Sequence, residues 1–217
     1  MIKIPERERI SALTHGFTIP VMLIGLIILI VISLGNISTV IVSVIYGLSA
    51  IFLFSASFLY HSKKESENDK SFFRKLDHFA IFFLIAGTYT PMSFLYLEGN
   101  MRLGILIAQW SLVFLGILFK FFFINAPRVI GTIIYLLMGW MAIIPISKLA
   151  NTMPHNVFMY LALGGVFYTI GALIYAVKRP NPVPGYLGFH EIFHIFIIGG
   201  AISHLLMVIH GINQFIN

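Results

Sequence analysis

The chain has no cysteine. That excludes a disulfide framework and any thiolate metal site. It is also poor in charge: only 10% of its 217 residues are Asp, Glu, Lys or Arg, against about 25% in a soluble domain. Acids are scarcest, eight in all. No soluble domain could be assembled from such a surface. What fills the chain instead is apolar: 59% hydrophobic residues and a mean hydropathy of +0.94. The composition is that of a multi-pass protein of the cell membrane.

A spanning helix needs about 20 mostly apolar residues. Seven stretches qualify: 14–34, 39–61, 76–97, 103–123, 129–149, 157–177 and 187–212. Connections between them are short, and neither an internal repeat nor a low-complexity segment is evident. The expected architecture is therefore one all-α domain over residues 1–217, a seven-helix transmembrane bundle. The first stretch is long and lacks an A-x-A-like cleavage site, so it reads as a membrane helix rather than a removable leader. Pro20, Pro91 and Pro145 fall inside these stretches and should kink them. Gly164, Gly165, Gly171, Gly199 and Gly200 should allow close helix contact.

Basic residues orient the bundle. Lys3, Arg7 and Arg9 precede the first stretch, Lys63, Lys64, Lys70, Arg74 and Lys75 follow the second, Lys120 and Arg128 flank the fourth loop, and Lys178 and Arg179 the sixth. These twelve share one side, and only Arg102 and Lys148 lie on the other. The bias places the N-terminus in the cytoplasm and the C-terminus outside. It also accounts for the net charge of +6 without nucleic acid, for which no basic-aromatic motif is present.

Ionisable residues are costly in lipid and usually face the bundle interior. Those near or inside the stretches are Glu8, His15, His61, Asp77, His78, His190, Glu191, His194, His204 and His210. His190 and His194 are one helical turn apart on one face. With Glu191 between them they read as H-E-x-x-H. His61 ends the second stretch, Asp77 begins the third, and His190 and His194 begin the seventh. All four therefore lie at the cytoplasmic end, at one depth. His204 is about 21 Å deeper along its helix than His190, too far to join them. With His15, His78 and His210, it reads as a packed, hydrogen-bonded histidine.

Three histidines, His61, His190 and His194, with a fourth position open, form the ligand set of a catalytic zinc (Zn2+) site, although copper, nickel or iron also suit imidazoles. Asp77 would hold the water at the open position or take its proton. Ser57, one turn before His61 on the same face, would hydrogen-bond the water or a substrate carbonyl. A zincin peptidase would use Glu191 as its base, but only 23 residues follow His194 and they complete its own helix, leaving no downstream ligand.

Four motifs in order give these residues a context. They are Glu8-x6-His15-Gly16, Ser57-x3-His61, Leu76-Asp77 and His190-x3-His194. The chain resembles the bacterial hemolysin III family of the progestin and adipoQ receptor (PAQR) superfamily over nearly its whole length. The resemblance implies seven spans, a cytoplasmic N-terminus and a zinc ion near the cytoplasmic face. It assigns His61, His190 and His194 to the metal, Asp77 to the water and Ser57 to a supporting role. The middle position of H-x3-H is not consistently acidic in the family, which weakens Glu191 as a base. The related adiponectin receptors and alkaline ceramidases are linked to hydrolysis of ceramide-like amides. The expected activity is a zinc-dependent hydrolase acting on an amide or ester of a lipid whose acyl chain lies within the bundle. The alternative is a non-catalytic, receptor-like or cytolytic (hemolysin or pore) membrane protein with structural zinc. A transporter would show broken inverted repeats, and none is evident.

Overall fold

A computed structural model describes residues 5–64, 71–183 and 186–216. Lys3 and Lys70 of the charge count lie outside the described residues. Eight α-helices carry the chain: α1 Arg9–Ile32, α2 Ile37–Lys63, α3 Phe72–Tyr96, α4 Gly99–Phe122, α5 Arg128–Trp140, α6 Ile146–Thr152, α7 His155–Val177 and α8 Phe189–Ile216. A 3₁₀ turn, Glu6–Glu8, leads into α1. No strand occurs among the described residues beyond a single bridge between Val183 and Leu187.

Six of the helices are long and apolar enough to cross a membrane, and they correspond to six of the expected spans. The fifth span differs. It is broken: α5 and the 3₁₀ turn Met141–Ile143 are bent by 54° from α6. Pro145 stands at that break, as the residue preceding α6, and not within a continuous helix. Its ring and missing N–H cannot continue an α-helix. Backbone groups near such a break need partners inside the protein. Tyr89 of α3 supplies them: its hydroxyl donates to Gly139 O at 2.5 Å and accepts from Ala142 N at 2.6 Å. Gln109 Nε2 of α4 donates to Met138 O at 2.9 Å.

Local signals explain several ends. Asn36 Oδ1 accepts from the N–H groups of Ser38 and Thr39 and starts α2. Ser71 Oγ accepts from Arg74 N and starts α3. Both are the short polar caps that helix N-termini favour. Pro20 and Pro91 lie within α1 and α3.

The bundle is a ring. α2 packs between α1 and α3, α4 lies on the outer side of α3, and α8 runs along α7 and α1. Buried Met22, Tyr46, Phe54, Met92 and Met207 belong to the main core. Ile24, Ile27, Phe114, Leu118, Leu137 and Leu173 are exposed around the outside, as lipid-facing residues should be. Glycines set the approach of α7 to α8: a methyl on Gly164 would collide with the His204 ring, and one on Gly200 would stand 2.5 Å from Tyr168. Gly165, expected to do the same, faces open space.

Candidate metal centre

The histidines arrive from two helices distant in sequence. His61 sits in the last turn of α2, and His190 and His194 in the first two turns of α8. One ring nitrogen from each lies within 4.8 Å of the other two. The Nε2 atoms of His61 and His190 are 3.3 Å apart. Two ligands at about 2.0–2.1 Å from a tetrahedral ion stand roughly 3.3 Å from one another, so these nitrogens are spaced as a metal pair requires. No other cluster of this kind occurs among the described residues. His61 and His194 are almost fully enclosed, at 1% and 2% exposure.

Glu8 fixes the His61 ring. Its Oε2 accepts from His61 Nδ1 at 2.6 Å, and its Oε1 accepts from Lys64 Nζ at 2.6 Å. A carboxylate only accepts, so Nδ1 carries the proton and a neutral ring keeps its lone pair on Nε2. That is the carboxylate–histidine–metal arrangement. Burial raises the Glu8 carboxyl, but its bonds to His61 and Lys64 outweigh this and hold it below its ordinary range. Glu8 lies in the turn before α1, so its pairing with α2 carries no local signature. Its place in the Glu8-x6-His15 motif is the one sequence signal that could have found it.

His15 also joins the centre, by packing. Its ring stacks on His194 at 3.7 Å and 13°, with Phe54 edge-on at 5.0 Å. Neither of its nitrogens has a hydrogen-bond partner. It is therefore packed, as expected, but not hydrogen-bonded. The other histidines stay apart from the cluster. His78 Nδ1 donates to Arg74 O at 2.8 Å, His204 Nε2 lies 3.3 Å from Leu161 O, and His210 stacks on Tyr160.

Glu191 is engaged elsewhere. Its Oε2 accepts from Gly188 N, capping the start of α8, and its Oε1 accepts from Ser11 Oγ of α1, both at 2.9 Å. The acid of H-E-x-x-H thus holds a helix end and an interhelical contact.

The three histidines stand on the wall of a cavity of about 1410 Å³ between the helices. Asp77 and Ser57 share that wall. Ser57 is buried, and Asp77 Oδ2 lies 3.5 Å from His78 Nδ1. Asp77 is not one of the three clustered donors. The cavity continues inward past Leu84, Thr88 and Met92 of α3, about 22 Å along that helix from Asp77 at 1.5 Å per residue. Lys120 also faces it. Counted above with the loop residues, Lys120 lies in the last turn of α4 and is only 3% exposed.

The chain has clear relatives among known proteins. The family model described as Haemolysin-III related matches residues 4–205. The hemolysin-3 homolog of Bacillus subtilis is 33% identical over 94% of this chain and 93% of its own length. Hemolysin-3 of Bacillus cereus is 35% identical over 93% of this chain and 90% of its own. A more distant match, 28% identical over 78% of this chain and 41% of the relative, is the adiponectin receptor protein of Drosophila melanogaster. Helices, motif order and full-length similarity agree: this multi-pass membrane protein belongs to the haemolysin III family.

Proposed function

We propose that this protein is a zinc-dependent hydrolase of a lipid amide or ester bond, with its site at the cytoplasmic end of the bundle. The observation that carries the reading is the three-histidine cluster set in the wall of a deep cavity that a carboxylate, Asp77, and a hydroxyl, Ser57, also line. His61, His190 and His194 would hold the ion, with Glu8 orienting His61. Bound there, zinc supplies a Lewis acid and brings the pKa of a water to about 7.

The rest of the work falls to the chain's own groups. Asp77 accepts the proton of the attacking water and returns it to the leaving nitrogen or oxygen. Ser57 Oγ donates to the carbonyl oxygen as charge develops on it. Leu84, Ile85 and Met92 give the acyl chain an apolar wall and keep bulk water from the carbonyl. The test is turnover of a short-chain ceramide and of an ester lipid in detergent. Asp77→Ala and His190→Ala should each cost about 10²-fold or more. Unchanged hydrolysis in both variants would falsify the proposal.

The printed names of the two Bacillus relatives favour a second reading, a cytolytic protein in which the ion ties α2 to α8. On that reading, erythrocyte lysis survives Asp77→Ala, and chelation unfolds the protein without any turnover preceding it.

A further inference from the structure

Lys120 is a buried cation that the hydrolytic chemistry leaves unused. It faces the cavity from the last turn of α4. Among the described residues its Nζ has no hydrogen bond and no carboxylate within 4.0 Å. Its neighbours are the rings of Phe119 and Tyr135, at 5.6 and 5.9 Å to the centroids. Those distances are at the outer edge of a useful cation–π contact, about 6 Å. Arg74, which also lines the cavity, is within Coulombic range and adds repulsion rather than compensation. Burying an unpaired charge is costly.

The acids of the cavity wall do not answer it. Glu8 is held by His61 and Lys64, and Glu191 by Ser11 and Gly188. Glu6 is exposed in the turn before α1. Asp77 shares the wall, with its Oδ2 3.5 Å from His78 Nδ1 and neither carboxylate oxygen within 4.0 Å of Lys120 Nζ. Arg74, which also donates to Asn125 Oδ1 at 3.3 Å, and Arg128, whose guanidinium lies 4.6 Å from the Tyr175 ring and whose Nη1 is buried without a partner among the described residues, share this wall with Lys120. Three cations thus line the wall near Asp77, while the deeper cavity is lined mainly by apolar side chains such as Leu84, Ile85, Met92 and Ile197.

We infer that Lys120, with Arg74, forms an oxyanion-binding site in the cavity, taking the phosphate or carboxylate headgroup of an amphiphile whose chain occupies the apolar depth. The headgroup supplies the missing counter-charge, and the chain supplies the burial that a free ion lacks. The inference rests on the cavity's being a lipid site. Its test involves no turnover, so a protein that binds but does not hydrolyse still answers it.

The experiment measures saturable binding of dodecyl phosphate, dodecanoate, dodecanol and inorganic phosphate to the purified protein in phosphatidylcholine nanodiscs. Both anionic amphiphiles should bind about tenfold or more tighter than the alcohol, the scale of a charge-assisted hydrogen bond. Lys120→Met should remove that difference, and Lys120→Arg should keep most of it. Arg74→Gln, at the cavity wall, gives a second loss that stands even if Lys120→Met does not fold. Equal binding of alcohol and anions, or an anion preference that survives both Lys120→Met and Arg74→Gln, overturns the site. Inorganic phosphate binding as tightly as dodecyl phosphate overturns the amphiphile as its occupant.

Discussion

The Glu8–His61 contact has a direct consequence for metal affinity. Carboxylates that accept from a ligating histidine raise its basicity and fix its ring, and losing one costs about 10–100-fold in affinity. Glu8→Gln should therefore weaken metal binding by about that factor in a competition titration with a chromophoric chelator. An unchanged constant would mean that Glu8 holds only the turn before α1. Glu191 gives the opposite expectation. Glu191→Gln keeps an oxygen for Gly188 N or Ser11 Oγ, so hydrolysis should stay within a few-fold and stability should fall by about 0.5–1.5 kcal/mol. A collapse of turnover with the fold intact would restore the peptidase-type base. The two acids show what was legible. That Glu191 is near His190 follows from spacing along one helix. That it is spent on Gly188 and Ser11 depends on where α1 packs, which no local pattern encodes. Lys120 was misplaced for a related reason: a charge count sorts lysines by distance along the chain, and burial at a helix end is a tertiary fact.

Among the elements, α7 and α8 make the sharpest contrast. Gly200→Leu must displace Tyr168 and should cost about 1–3 kcal/mol, the usual penalty of overpacking. Gly165→Ala meets nothing within 4 Å and, inside a helix where Ala is favoured over Gly, should not lower the unfolding midpoint. Thermal unfolding in detergent checks both, and equal effects would contradict the packing described. Six spans were legible because length and hydropathy are sufficient evidence for a continuous helix. The break before α6 was not. Apolar residues run on through Ile143 and Ile144, and the groups that stabilise the bend, Tyr89 and Gln109, come from other helices. Pro145 marked the place without showing that the helix would stop.

At the scale of the whole molecule, the histidines meet because α2 ends and α8 begins at the same end of the bundle. That much follows from counting spans, and it made His61 a partner of His190 across 129 residues. Sidedness can be read chemically, since a chain with no cysteine is a clean background for single thiols. Asn125→Cys, between α4 and α5, should react with an impermeant maleimide only after the cells are opened, and Asn151→Cys, near the end of α6, in intact cells. The reverse pattern would place the metal centre outside.

Whether His61, His190 and His194 together hold one metal ion is read by X-ray absorption with elemental analysis of the purified protein. About one zinc per chain is expected, with nitrogen or oxygen ligands at about 2.0–2.1 Å and histidine scattering in the outer shell, lost in His61→Ala and in His194→Ala. A folded protein that carries no metal, or zinc that persists unchanged in both variants, would contradict it.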